Sequence, residues 1–241
     1  MTRLFARRYA LTDSPLLASP GFDSPHKPMH REVMGAGRVR DDDPLNDLVV
    51  EQGQVTFDAE GNDDPASLYF SRQLHWPGGA SGVTLGRGYD MRHRTPASVY
   101  ADLMQAGLDD EASRKFSQGA ELSGDAARDF VIMNKAAYGT ISQRSQRMLF
   151  EAVVYPRYEI AASQRYASAA GPDAPTWKNL DSRVRDIAVD FTYQQGSIWR
   201  RQLPYISAND RQRLAHYIES TPELLRYEPG RKRVDHLRSK D

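Results

Sequence analysis

The chain has 241 residues, 39% of them hydrophobic, and 32 basic against 32 acidic side chains, a formal net charge of zero. That apolar content can fill the core of one good-sized domain, and the balanced charge lacks the basic excess through which nucleic-acid binders release counterions. The absence of cysteine excludes disulfides, thiolate zinc sites and cysteine nucleophiles.

Residues 1–47 are rich in Pro, Ser, Asp and Arg and carry no sustained apolar period. Ser14-Pro15, Ser19-Pro20-Gly21, Ser24-Pro25 and the run Asp41-Asp42-Asp43-Pro44 are breaker signals. A flexible leader is expected over 1–47, with delivery or docking as its alternative role, and one folded domain over 48–241. Arg7-Arg8 is followed by Ser and Pro rather than an apolar core, so no cleavable signal is expected. No stretch approaches the roughly 20 apolar residues that span a bilayer.

From Leu48 the texture changes. Leu48-Val49-Val50 and Val55-Thr56-Phe57 lead into Asp58-Ala59-Glu60-Gly61 and a polar loop with Asp63 and Asp64. Residues 67–90 are rich in Gly, aromatic and β-branched residues, which predicts a small sheet or hairpin, with a turn at Trp76-Pro77-Gly78-Gly79 and a strand at Val83-Thr84-Leu85. Thr95 as N-cap and Pro96 at the first helical position open a helix whose apolar stripe is Val99, Leu103 and Ala106, stopped by Gly107. Ser142 opens another, with Ser145, Met148, Leu149 and Ala152 along one side. Val184, Ile187, Ala188 and Phe191 mark a buried helix ending at Gly196. Leu214, Tyr217 and Ile218 follow, then a break at Thr221-Pro222 and the basic run Arg231-Lys232-Arg233, expected as a solvated face or as ion pairing specific to the fold. The layout is α+β, a small β-containing lobe followed by a mainly helical body.

Glycoside hydrolysis needs a carboxylic acid to protonate the leaving oxygen and a second polar or anionic group to direct the nucleophile. Glu60-Gly61, a hairpin-like insert and Gly82-Val83-Thr84-Leu85-Gly86-Arg87-Gly88-Tyr89-Asp90 form a compact candidate set. Glu-Gly followed by Gly-x-Thr-x-Gly-x-Gly resembles the active-site signature of phage-type lysozymes. Those enzymes carry an Asp nine residues after the Glu, where this chain has Tyr69; a carboxylate stands instead at Asp90, six residues after Thr84. That order, Glu then Thr then Asp, is similar to the pesticin-like branch of bacterial toxins. The segments 189–196 and 230–237 also resemble the buried aromatic helix and the closing segment of that family.

The resemblance implies a lysozyme-like fold over residues 48–241 and a muramidase acting on peptidoglycan glycan strands. Glu60 would be the general acid, with Thr84 and Asp90 holding the attacking water. Asp63 and Asp64 are rivals for the role of Asp90. Tyr89, Arg87 and Gln195 are the expected substrate contacts, and Trp76 and Tyr193 are further aromatics for sugar rings. A glutamate at the start of a helix among apolar neighbours would be desolvated and its pKa raised, while Asp90 after a glycine-rich strand would stay ionised. His75, His93 and His216 have no metal spacing, and neither a metal nor a cofactor is expected.

The biological setting implied is an antibacterial effector, such as a type VI secretion effector, made in the cytoplasm and acting as a monomer in the periplasm of a target cell. A cognate immunity protein would be its partner, with no nucleic acid and no membrane span. A phage endolysin of the same activity, a lytic transglycosylase using one Glu, and a non-catalytic wall-binding module are the alternatives.

Overall fold

The computed structural model describes residues 48–67 and 70–240. The expected leader over 1–47 and Tyr69 lie outside the described residues.

Helix α1 (Gln54–Ala59) follows Gly53 and buries Val55, Thr56 and Phe57. The expected hairpin is present but slight. Strand β1 (Thr84–Leu85) pairs antiparallel with β2 (Tyr89–Asp90), Thr84 opposite Asp90 and Leu85 opposite Tyr89. Isolated bridges at Asn62–Phe70, His75–Thr84 and Gly82–Ser123 tie the surrounding loops together. A turn closes at Gly78, whose carbonyl accepts from the Ser81 N–H at 3.2 Å.

Helix α2 (Pro96–Gln105) starts as its sequence predicts, with the Thr95 hydroxyl accepting from the Ser98 N–H, and Val99, Leu103 and Ala106 are fully buried. Helices α3 (Asp110–Ser117) and α4 (Gly124–Tyr138) follow. Ser142 caps α5 (Gln143–Leu149) through the Ser145 N–H. A π-helical turn, Phe150–Val154, then leads into α6 (Tyr155–Ala169). This turn corrects the expected stripe. The wider π-turn shifts the phase of the helix, so Phe150 and Val154 enter the core while Ala152 is left exposed.

Helix α7 (Ser182–Gln195) is the central post. Val184, Ile187, Ala188 and Phe191 are fully buried, and Gly196 closes it in a left-handed conformation. Around it come α8 (Leu203–Ser207), α9 (Arg211–Ser220), α10 (Pro222–Leu225), α11 (Glu228–Arg231) and α12 (Arg233–Arg238). Helix α7 packs against α1, α6, α8, α9 and α12. The described chain is thus mostly helical with one small antiparallel sheet, an α+β arrangement. Among the described residues no helix is long and apolar enough to cross a membrane.

Candidate active site

Glu60 does not begin a helix. It caps the C-terminal end of α1, its backbone N–H donating to the Thr56 carbonyl at 3.1 Å. Helix α1 is only six residues long, and its position is set by burying Val55, Thr56 and Phe57 rather than by a local start signal. The Glu60 side chain is 6% exposed and forms an ion pair with Arg231. The expected apolar surroundings therefore include a guanidinium.

Arg231 is held from its other side by Asp190, which is wholly buried on α7. Asp190 accepts from the Thr56 hydroxyl at 3.0 Å, from Arg231 Nη1 at 2.5 Å and from Arg233 Nε at 2.6 Å. Arg233, also wholly buried, donates further to Gln194 and Glu228. Burial alone would raise the Asp190 carboxyl, but the charges of Arg231 and Arg233 hold it below the ordinary aspartate value. Burial would likewise lower Arg231, yet the charges of Asp190 and Glu60 keep it above its ordinary value. Desolvation raises Glu228.

Lys232 makes this convergence possible. Two residues apart on a continuous helix, Arg231 and Arg233 would point about 200° apart. Lys232 adopts the left-handed region, φ 52° and ψ 34°, breaking α11 from α12 and turning both guanidiniums onto one carboxylate.

The hairpin supplies the other half. Thr84 and Asp90 sit directly opposite each other across the β1–β2 ladder. Thr84 is fully buried, and its hydroxyl donates to the Gly82 carbonyl at 3.3 Å. Asp90 is partly buried and accepts from two backbone N–H groups, Arg92 at 2.8 Å and Gly82 at 3.3 Å. A carboxylate has capacity beyond those two bonds. The chain passes so close at Gly82 that an added Cβ would lie 2.4 Å from Asp90 Oδ1.

Tyr193, from α7, spans the two halves. The Arg231 guanidinium lies 6.0 Å from its ring centroid. Its hydroxyl is packed against Gly88 of the hairpin, where an added Cβ would meet it at 1.8 Å. Tyr158 of α6 packs on the same ring, centroids 4.4 Å apart.

Two of the expected substrate contacts, Tyr89 and Arg87, are buried with partners inside the protein. Tyr89 is fully buried, its hydroxyl donating to Asp102 at 2.7 Å and the Arg94 guanidinium lying 4.4 Å from its ring centroid. It pairs with Leu85 and faces the core, where burial raises its hydroxyl pKa. Arg87 is a strut. Its guanidinium lies over the Phe57 ring and donates to the Phe57 carbonyl at 2.6 Å and to Asp63 at 2.7 Å. Asp63, the rival carboxylate, is committed to Arg72, Arg87 and Gln146; burial would raise it, but these hydrogen bonds hold it below its ordinary value. Asp64 caps a tight turn by accepting from the Ala66 N–H. Gln195 remains half-buried, with its carbonyl engaged by Gln202 and its amide nitrogen buried without a hydrogen-bond partner.

Asp190 is the residue that sequence reasoning missed. A lone acid within the apolar run Ile187–Thr192 is costly to bury unpaired, so it calls for cations elsewhere in the chain, and Arg231 and Arg233 supply them. Among the described residues no three His, Asp or Glu side chains gather as a metal site. A pocket of ≈ 340 Å³ opens at the other end of α1, beside Gly53, Tyr155, Asp186 and His236, and its lining includes neither Glu60 nor the hairpin.

The protein is thus mostly helical and α+β, with a short helix, a hairpin and a buried arginine–carboxylate network joined through Tyr193. The chain belongs to the family described as domain of unknown function DUF8812, whose family model matches residues 53–232. No curated protein matches the chain.

Proposed function

We propose that the chain is a peptidoglycan muramidase, hydrolysing the β-1,4 bond between N-acetylmuramic acid and N-acetylglucosamine with Glu60 as general acid. The observation that carries this reading is the nearly buried Glu60 carboxyl held by Arg231 and joined through Tyr193 to the hairpin of Thr84 and Asp90. A general acid leaves an anion behind once its proton has moved to the leaving oxygen. Arg231, fixed by Asp190, is placed to stabilise that anion. Asp90, the less buried of the hairpin pair, is the group to orient water, with Thr84 directly opposite it across the ladder as its partner in that role. The resemblance to the pesticin-like lysozymes adds the lysozyme-like fold, the antibacterial-effector setting and an immunity protein as partner.

One observation favours a second reading. Asp90 already shapes the turn around itself by accepting two backbone N–H bonds. A lytic transglycosylase, which needs one Glu and no water-directing carboxylate, would use Asp90 in that structural way alone.

Purified peptidoglycan treated with the wild type, Glu60→Gln and Asp90→Asn, with the fragments identified by mass spectrometry, separates the two. Muramidase action gives reducing-end muropeptides, reduced at least about a hundredfold in both variants. Anhydro products with Asp90→Asn still active identify the transglycosylase, and no release by the wild type rejects both.

A further inference from the structure

The pocket of ≈ 340 Å³ at the far end of α1 is within the size range of small-molecule sites and takes no part in the arrangement around Glu60. Four separate stretches of chain build it: the loop before α1, the start of α6, the first turns of α7 and the end of α12. Asp186 of α7 holds them together. Its carboxylate accepts from the Gly53 N–H at 3.2 Å and from the Tyr155 hydroxyl at 2.8 Å, and its other oxygen lies 3.1 Å from His236 Nε2. The chain is drawn so tight here that a Cβ at Gly53 would lie 2.1 Å from the Tyr155 ring. Asp186 is therefore occupied in building the walls. So is Arg183, which donates to the carbonyls of His236 and Lys240.

Two charges in the lining are not used in this way. Arg185 lies three residues after Ser182, so the two share a side of α7, and both line the pocket. Burial raises the Tyr155 hydroxyl pKa, as does Asp186, while the charge of Arg185 pulls it the other way. Arg185 is half-buried and makes no hydrogen bond or ion pair among the described residues. Glu51 lines the same pocket from the loop before α1, a loop fixed by its backbone N–H donating to Glu151 at 3.1 Å. The Glu51 side chain is exposed, and its carboxylate has no partner among the described residues, Arg185 included. A simple anion drawn to Arg185 would be repelled by Glu51 and Asp186. A cation and an anion that line one cavity without meeting each other suit a ligand that carries both charges.

We propose that this pocket binds a zwitterion, either a free α-amino acid or a short unblocked peptide. Arg185 takes its carboxylate through two parallel N–H···O bonds, and Glu51 takes its ammonium. The proposal is independent of the glycan reading above.

The test titrates the full-length protein, by calorimetry, with alanine and alanyl-alanine. Each is used unblocked, as the N-acetyl form that lacks the ammonium, and as the amide that lacks the carboxylate. The wild type is expected to bind the unblocked ligand about tenfold more tightly than its amide. The preference over the N-acetyl form should be about threefold, smaller because Glu51 is exposed. Arg185→Gln should bind the unblocked ligand and its amide alike while keeping its preference over the N-acetyl form, and Glu51→Gln should do the reverse. Since neither side chain has a partner among the described residues, both variants should unfold at the wild-type temperature when no ligand is present, which separates a lost contact from a lost fold. Tighter binding of alanyl-alanine than of alanine assigns a peptide, and the opposite order assigns the free amino acid. No saturable binding by the wild type, equal binding of blocked and unblocked forms, or preferences that survive both substitutions overturn the proposal. None of these outcomes involves a glycan, so the muramidase reading stands or falls separately in the peptidoglycan digest.

Discussion

The two halves of the candidate site are held by different forces. Glu60 is fixed through charge: Arg231 reaches it from a wholly buried Asp190 that also holds Arg233. The hairpin half has its ion pairs at the tip, where Arg87 meets Asp63, and not at Thr84 or Asp90. Thr84 and Asp90 are fixed by backbone hydrogen bonds and by close approach at glycines. Buried ions are intolerant neighbours, because removing one leaves its partner uncompensated in a low-dielectric interior. Neutral hydrogen bonds and packing give way in smaller steps. Glu60 is therefore rigidly held, and the hairpin can adjust at modest cost.

Asp190→Asn should break that contrast most severely. It leaves two guanidiniums without their shared counter-ion, a loss of about 3–5 kcal/mol in stability, read from denaturant unfolding. The pH dependence carries the same information. The folded Asp190 carboxyl lies below its ordinary value of 3.8, so its contribution is fully present above that value and is lost as pH falls through the lowered folded value. The wild type should therefore lose stability from this source only on acidification below about pH 4, and Asp190→Asn should lack that step. Equal stability of the two proteins near neutral pH would mean that the ionic half is no stiffer than the hairpin.

The hairpin half is probed at Gly88. Its φ is +85°, and an added Cβ would lie 1.8 Å from the Tyr193 hydroxyl. Gly88→Ala should cost about 1–3 kcal/mol, less than the loss at Asp190, and should lower turnover by displacing Tyr193 from between the two halves. Adding Tyr193→Phe removes the clashing oxygen, so the double variant should recover part of the stability, a coupling that a thermodynamic cycle measures. Strict additivity would show that Tyr193 does not connect the hairpin to the network under Glu60.

Legibility in the sequence follows the same division. The helices at Pro96–Gln105 and Ser182–Gln195 were readable because cap, apolar period and stop agree in each. Helix α4 was not, because it is held by little more than Ala127 and Val131 and so carries no stripe. The direction of Glu60 was lost for a related reason: Gly53 offers no side-chain cap, and α1 takes its place by tertiary burial. The burial of Tyr89 has a usable signal in the sequence. Successive strand residues face opposite ways, so Tyr89 and Asp90 cannot both turn toward one substrate. The network under Glu60 joins residues 56, 60, 190, 231 and 233. No local pattern reports contacts at such separations, although a lone Asp in a buried stripe announces that cations must arrive from somewhere.

The smallest effect is expected at Lys232, and it separates the backbone that aims the ionic half from the charges themselves. A non-glycine residue in the left-handed region costs roughly 1–2 kcal/mol, and here the strain lets residues 231 and 233 share Asp190. Lys232 is exposed and its own charge lies outside the pairs that hold Glu60. Lys232→Gly should therefore leave stability unchanged or raise it by up to about 1 kcal/mol, with activity intact. Lys232→Val, β-branched and poorly suited to positive φ, should lower stability by more than about 1 kcal/mol and impair turnover through Arg231. If both substitutions behave alike in unfolding and in muropeptide release, the left-handed turn is not what brings the two arginines together, and the aim of Glu60 must come from the packing of α1 on α7 alone.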